Sequence, residues 1–276
     1  MKPATFNYIR AEHADEAVAL LAEYGDDARI LAGGQSLMPM LNMRLAQPAV
    51  LIDISQCDDL NFIRSENNEL RVGAATTQAA LEWRKELAVN SPLLALAFPH
   101  ISHFQIRNRG TVCGSIAHAD PSAELPLCLV ALGGSVALRT RHGSRTVAAN
   151  DFFQGVLTTA REPDELIEAV HFPLAKPQTR YGFAEFSIRH GDYAIVAVAA
   201  VADRDGITLA AGEIADRPVS QYWRGVSGDA LDNAVGLWAD SLEANDNQHA
   251  SACYRRHLLR TLAMQSIAKL AAHDSQ

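Results

Sequence analysis

Two glycine-bearing segments contain the residues of this chain whose types and spacing are best suited to bind an anion. The first glycine segment, residues 31–39, reads LAGGQSLMP, and the second glycine segment, residues 107–121, reads RNRGTVCGSIAHADP. Each combines glycines, small residues and hydroxyl groups with almost no charge at its centre. Such a composition lets backbone N–H groups approach an anion closely, as binding of a diphosphate requires. Two such segments in one chain predict a diphosphate that is held from two sides.

The spacing of the glycines alone does not distinguish a binding segment from a plain turn or a hairpin. Gly33 and Gly34 lack the G-x-G-x-x-G spacing of a Rossmann fingerprint, and a Gly-Gly pair after a strand is commonly a turn. Gln35 and Ser36 favour the binding interpretation, because both side chains can contact phosphate or ribose oxygens. The second glycine segment is the stronger signal, although a glycine-rich hairpin would also explain its two glycines and two hydroxyls: Gly110, Thr111, Gly114 and Ser115.

The other reactive side chains do not form a convincing metal or acid–base site. His118 and Asp120 are too few for either, and His100 and His103 have no further ligands near them in sequence. The four cysteines form no Cys-x-x-Cys pair, so neither a disulfide framework nor an iron–sulfur cluster held by this chain alone is expected. A basic patch on the last predicted helix is either a solvated face or a contact with an acidic partner subunit: Arg255, Arg256, His257 and Arg260.

Bulk composition describes an ordinary globular protein. Of the 276 residues, 48% are hydrophobic and 20% are charged, which allows a substantial core. The formal net charge of −8 disfavours a nucleic-acid partner, because phosphate backbones are bound by basic surfaces. The first ten residues lack the apolar core of a signal peptide, and no apolar run approaches membrane-spanning length. We therefore expect a cytoplasmic protein without a membrane span.

The periodicity of apolar residues predicts a mixture of helices and strands that places each glycine segment at the end of an element. A helix over residues 15–24 stops at Gly25, a strand over 28–32 runs directly into the first glycine segment, and a second strand covers 50–54. Helices are predicted over 77–86 and 93–103, just before the second glycine segment, and strands over 135–138, 145–148 and 166–172. Lys176-Pro177 marks a boundary, and Asp205-Gly206 is a hairpin signal. Helices over 228–239 and 251–269 close the chain, and residues 273–276 form a tail.

Beyond these local patterns, the motifs AGGQSLMPML and RNRGTVCGSIAHADPSAELP resemble the FAD-binding subunits of molybdenum-containing hydroxylases. This family includes the medium subunits of carbon monoxide and N-heterocycle dehydrogenases and the flavin domain of xanthine dehydrogenase. The resemblance continues through FPLAK, RHGDYAIVAVAA and YRRHLLRTLAMQSI, and it therefore covers nearly the whole chain. It is specific for the family and not for a substrate.

The resemblance implies an α+β fold of the vanillyl-alcohol-oxidase (PCMH) type. Two α/β subdomains, residues 1–57 and 58–175, would hold FAD, and a C-terminal α/β domain, residues 176–276, would cover the flavin. It also implies an oxidoreductase subunit that takes electrons from the [2Fe–2S] clusters of a small partner subunit and passes them to an external acceptor. A large partner subunit with a molybdenum–pterin centre would oxidise the substrate, and the assembly would be a dimer of heterotrimers. This chain would then contribute no catalytic acid, base or metal ligand. A stand-alone FAD-dependent oxidoreductase and a non-enzymatic dinucleotide-binding module are the alternatives.

Carried over position by position, the resemblance also names the residues that would bind FAD. The diphosphate would contact Leu31, Ala32, Gly33, Gly34, Gln35, Ser36 and Leu37 from one side, and Gly110, Thr111, Gly114, Ser115, Ala117 and His118 from the other. The rest of the cofactor would contact Ala123, Glu124, Ile101, Ile106, Ile167 and Tyr193, the last beside the isoalloxazine. Three positions depart from the usual family pattern. Cys113 stands where glycine is usual, Gln35 where some relatives have histidine, and no lysine lies near Ala184 or Glu185.

Overall fold

The structure is a computed structural model that describes residues 1–272, so the predicted tail over 273–276 lies outside the described residues. Its first part is a three-stranded parallel sheet in the order β1-β3-β2. The elements of this part are β1 (Asn7–Arg10), α1 (Ala14–Tyr24), β2 (Ala28–Leu31), α2 (Leu37–Asn42) and β3 (Val50–Asp53). Helix α1 ends at Gly25, whose φ of 50° favours glycine. The first glycine segment connects β2 to α2 and so lies at the carboxyl end of a parallel strand, where α/β sheets bind ligands.

The middle part contains a five-stranded antiparallel sheet in the order β4-β5-β10-β6-β7. Its strands are β4 (Ile63–Glu66), β5 (Glu69–Gly73), β6 (Ser135–Thr140), β7 (Gly143–Ala148) and β10 (Leu166–Pro173). A short pair, β8 (Phe153–Gly155) and β9 (Thr158–Thr159), precedes β10. The pairing of β10 with β6 shifts register between Ile167 and Ala169, next to the candidate site described below.

The middle part also contains seven helices. They are α3 (Gln78–Glu82), α4 (Leu87–Asn90), α5 (Pro92–Ala97), α6 (Phe104–Arg107), α7 (Val112–His118), α8 (Glu124–Leu132) and α9 (Ala149–Phe152). Helix α8 is buried along almost its whole length, because it packs between the middle sheet and the strands that follow. Helix α5 ends at Ala97, well before the predicted end at residue 103. Pro99 lacks the N–H group that would continue the helix, and the chain passes into a 3₁₀ turn.

The last part is a four-stranded antiparallel sheet in which consecutive strands pair as hairpins. Its elements are β11 (Arg180–Phe186), β12 (Val196–Ala202), β13 (Gly206–Gly212), β14 (Val219–Arg224), α10 (Gly228–Ser241) and α11 (Ala252–Ala272). Strand β12 is apolar without alternation because α8 covers one face and α11 covers the other. The hairpin predicted at Asp205-Gly206 forms between β12 and β13.

The α+β class predicted from the sequence is confirmed. Each of the three larger sheets falls inside one of the predicted ranges 1–57, 58–175 and 176–276, while the boundaries themselves stay predictions. The second glycine segment does not form a hairpin: it contains the end of α6, a short extended stretch and the whole of α7. Within residues 1–272, no helix combines the length and the hydropathy needed to cross a membrane.

Candidate cofactor site

A cavity of about 1070 Å³ lies where the three parts of the chain meet. Of the nineteen residues predicted to bind a cofactor, all except Leu31 line this cavity. They are Ala32, Gly33, Gly34, Gln35, Ser36, Leu37, Ile101, Ile106, Gly110, Thr111, Gly114, Ser115, Ala117, His118, Ala123, Glu124, Ile167 and Tyr193. Leu31 is the last residue of β2, and its side chain lies against Gly34 instead.

The two glycine segments contact each other directly at one wall of the cavity. A Cβ atom placed on Gly33 would lie 2.2 Å from the backbone oxygen of Arg109 and 2.7 Å from the Cα of Gly110. Both of these atoms belong to the backbone, so no side chain can move aside to make room. Only glycine fits at position 33, because the backbone of the second glycine segment fills the space that a side chain would need.

Local hydrogen bonds hold the first glycine segment in a tight turn between β2 and α2. Gly34 has a φ of 72°, in the left-handed region that favours glycine. The side-chain amide of Gln35 donates to the backbone oxygen of Gly33 over 3.1 Å, and the N–H of Met38 donates to the oxygen of Gly34 over 3.0 Å. Because Gln35 bonds within its own segment, its side chain supports the turn as well as lining the cavity.

The second glycine segment is anchored to α3 on one side and begins α7 on the other. The N–H of Gln78 donates to the oxygen of Gly110 over 2.7 Å, and the N–H of Val112 donates to the oxygen of Thr76 over 3.1 Å. The hydroxyl of Thr111 caps α7 by accepting from the N–H of Gly114 over 2.9 Å. The Thr111 hydroxyl thus caps the helix, and Thr111 also lines the cavity.

Cys113 fits this arrangement, although the resemblance noted from the sequence favours glycine at that position. It lies within α7 and does not have a positive φ, so the backbone imposes no strain on a residue with a Cβ. Its thiol is buried and contacts the backbone oxygen of Val72 at 3.4 Å. Burial raises the pKa of the Cys113 thiol far above its ordinary value. Cys113 is therefore a packing residue, because a protonated, enclosed thiol is a poor nucleophile.

One end of the cavity is rich in carboxyl groups that are held away from water. Glu124 is the first residue of α8 and is only 8% exposed, and burial raises its pKa to about 7. Burial also raises the pKa of Glu213 to about 7, and behind the lining residues, burial together with Glu124 raises the pKa of Glu185 to about 8. Tyr193 lines the cavity nearby with 72% of its surface exposed, so its ring has space on one side. Near neutral pH this end consequently carries less negative charge than its carboxyl groups suggest.

Several residues that the sequence did not assign to the cofactor also line the cavity, and Arg255 is the clearest case. It is 2% exposed, and its Nη1 donates to the backbone oxygens of Ile195 over 2.5 Å and Glu213 over 2.8 Å. The basic patch predicted on the last helix is therefore not a single solvated or partner-binding face, since Arg255 points inward. Further lining residues that the sequence did not assign to the cofactor are Gln78, Asp120, Ser122, Thr158, Thr159, Arg161 and Glu213.

The histidines considered as possible metal ligands have other surroundings. The His100 ring packs on Phe183 with centroids 5.1 Å apart, and the His103 ring lies against Gly191. Within the described part of the chain, no three His, Cys, Asp or Glu side chains are grouped so that they could hold a metal ion.

Comparisons with known proteins agree with this geometry. Residues 4–175 match the model of a family described as the FAD binding domain in molybdopterin dehydrogenase. The 6-hydroxypseudooxynicotine dehydrogenase complex subunit alpha of Paenarthrobacter nicotinovorans is 36% identical over 286 residues, covering 98% of this chain and 95% of that protein. The carbon monoxide dehydrogenase medium chain of Afipia carboxidovorans is 35% identical over 289 residues, covering 99% of both. A solved carbon monoxide dehydrogenase of Hydrogenophaga pseudoflava that lacks the Mo-pyranopterin moiety superposes with a TM-score of 0.93 at 30% identity, over 99% of both chains.

Proposed function

The chain belongs to the family of FAD-binding domains of molybdopterin dehydrogenases, and from that premise we propose that it is the electron-transfer subunit of a heterotrimeric molybdenum hydroxylase. The observation that carries this proposal is the contact between the two glycine segments in the wall of one cavity. At 1070 Å³ the cavity slightly exceeds the usual range of about 300–1,000 Å³ for small-molecule sites, as an extended dinucleotide requires.

The residues that line the cavity have the sizes and polarities that FAD requires. Gly33 and Gly34 line the cavity and carry no side chains, so an anionic group can approach their backbone N–H groups. We assign the diphosphate to the first glycine segment and to the residues of the second that line the cavity. Ala123 and Glu124 are assigned to the sugar hydroxyls, Ile101, Ile106 and Ile167 to the apolar rings, and Tyr193 to the isoalloxazine. In this assignment the parts built on the three larger sheets form a vanillyl-alcohol-oxidase (PCMH)-type arrangement.

FAD, when bound, supplies a redox carrier between the [2Fe–2S] clusters of a small partner subunit and an external electron acceptor. This chain's residues hold the cofactor, exclude water from part of it and set its electrostatic surroundings. Substrate oxidation belongs to the molybdenum–pterin centre of a large partner subunit. The assembly is a cytoplasmic dimer of heterotrimers, and no side chain of this subunit acts as a catalytic acid or base.

Coexpression of the full chain with the products of the neighbouring genes tests the proposal. After purification without denaturant, the visible spectrum and the subunit composition are recorded. We expect a flavin spectrum with iron–sulfur absorption, and one larger and one smaller chain that copurify. A yellow protein that is active without partner chains would instead identify a stand-alone oxidoreductase. A colourless chain that also fails to bind added FAD would refute the flavoprotein assignment.

A further inference from the structure

Gln78 occupies the point where α3 meets the second glycine segment. It is the first residue of α3, it is 6% exposed, and it lines the cavity. Its backbone N–H donates to the oxygen of Gly110, and its side-chain Cδ lies 3.6 Å from the position that a Cβ on Gly110 would occupy. The side-chain amide therefore adjoins the junction at which Gly33 packs on Gly110.

The amide of Gln78 has no role inside the described protein. Its Oε1 is buried and has no hydrogen-bond partner, and its Nε2 forms no hydrogen bond within residues 1–272. Capping of α3 does not require this side chain, since the hydroxyl of Thr77 accepts from the N–H of Ala80 over 3.1 Å. Buried polar groups are nearly always hydrogen-bonded in folded proteins. A ligand in the cavity can supply the missing partner, because Gln78 lines the cavity and its amide can turn about the last side-chain bond.

We propose that the side-chain amide of Gln78 is an FAD ligand at the junction of the two glycine segments. This inference rests on the proposed function, because it requires FAD in this cavity. The amide offers two kinds of hydrogen bond: Oε1 accepts from a hydroxyl of the cofactor, and Nε2 donates to a phosphate oxygen. Rotation about the last side-chain bond decides which of the two atoms faces the cavity.

The test compares FAD binding with stability in the full chain carrying Gln78→Met. Methionine preserves the length of the side chain and removes both hydrogen-bonding atoms. We expect the Kd for FAD, measured by quenching of flavin fluorescence, to rise about tenfold. This is the loss of affinity that corresponds to one hydrogen bond to a charged or buried group. The unfolding temperature without FAD should stay the same or rise, because an unpaired buried acceptor has been removed. Gln265→Met is the matched control, as Gln265 is exposed on α11, and it should change neither quantity.

A second variant, Gln78→Glu, identifies the partner atom. A carboxylate still accepts from a hydroxyl but repels a diphosphate, so a Kd within about threefold of wild type indicates a hydroxyl partner, and a rise of more than about tenfold indicates a phosphate partner. Wild-type affinity in Gln78→Met would overturn the proposal. So would a loss of affinity that is accompanied by an equal loss of stability without FAD, since that result assigns Gln78 to packing. If the wild-type chain itself binds no FAD, the proposed function fails first, which separates the two conclusions.

Discussion

Substituting Gly33 with alanine perturbs the contact on which the candidate site depends. The new Cβ would lie 2.2 Å from the backbone oxygen of Arg109, whereas real Cβ atoms keep at least 3.0 Å from such a neighbour. The two glycine segments must therefore separate by at least 0.8 Å. Overpacking of this kind costs about 1–3 kcal/mol. If the segments relax apart without FAD and must be forced together again to bind it, the affinity falls by about 5- to 150-fold.

Titration of the full chain with FAD, monitored by flavin fluorescence, measures this loss of affinity. Thermal unfolding without FAD shows whether the strain is already present in the free protein. A raised Kd at unchanged stability means that the segments separate in the free protein, while lowered stability means that the clash persists in both states. Gly236→Ala is the matched control. Gly236 lies in α10, the nearest atom to a new Cβ there is 3.9 Å away, and alanine should stabilise the helix by about 0.5–1 kcal/mol without affecting FAD. Wild-type affinity and wild-type stability in Gly33→Ala would refute the close approach of the segments.

Two further predictions concern charged side chains. Arg107→Met should lower the free energy of unfolding by about 3–5 kcal/mol in urea titrations, because Glu82 loses the buried guanidinium that it contacts at 2.8 and 2.9 Å. Arg84→Met should lower it by less than about 0.5 kcal/mol, because the ion pair of Arg84 with Glu86 is exposed and 3.8 Å long. Equal losses in the two variants would contradict this. Burial raises the folded-state pKa of Glu124 to about 7, so its contribution to stability is complete below the unfolded pKa and is lost as pH rises through about 7. The free energy of unfolding of the wild type should fall relative to that of Glu124→Gln by about 1.4 kcal/mol per pH unit between about pH 5 and 7. If the two free energies instead run parallel over this range, Glu124 is ionised throughout it and the prediction is wrong.

The sequence predicts those parts of the fold that depend on short-range patterns. The end of α1 at Gly25, the strand leading into Gly33, and the hairpin at Asp205-Gly206 each follow from the local preferences of one or two residues. Strand β1 escaped prediction because it is short and mostly exposed, and only its parallel pairing with β3 makes it a strand. Helix α7 was also missed, since its glycine and small residues have low helix propensity and its capping by Thr111 depends on the fold.

The same distinction explains which residues of the candidate site were found. The glycine segments can be recognised in the sequence, because a close approach of two backbones requires glycine and the glycines are visible there. The residue types of Gln78 and Arg255 do not reveal their positions in the cavity wall, because glutamine and arginine are common on the exposed faces of helices. Both residues are buried in the fold, where they line the cavity. Their positions depend on contacts between parts of the chain that are far apart in sequence.

Those long-range contacts also link cofactor binding to the arrangement of the whole chain. The first glycine segment follows a strand of the first sheet, the second is hydrogen-bonded to α3 of the middle part, and the Tyr193 end is fixed to α11 through the bond from Arg255 to Ile195. A ligand that contacts all three walls stabilises the arrangement in which they meet, by an amount that grows with ligand concentration relative to Kd. FAD is thus expected to act as a structural component of this subunit as well as its redox group, because no single wall presents the complete set of contacts by itself.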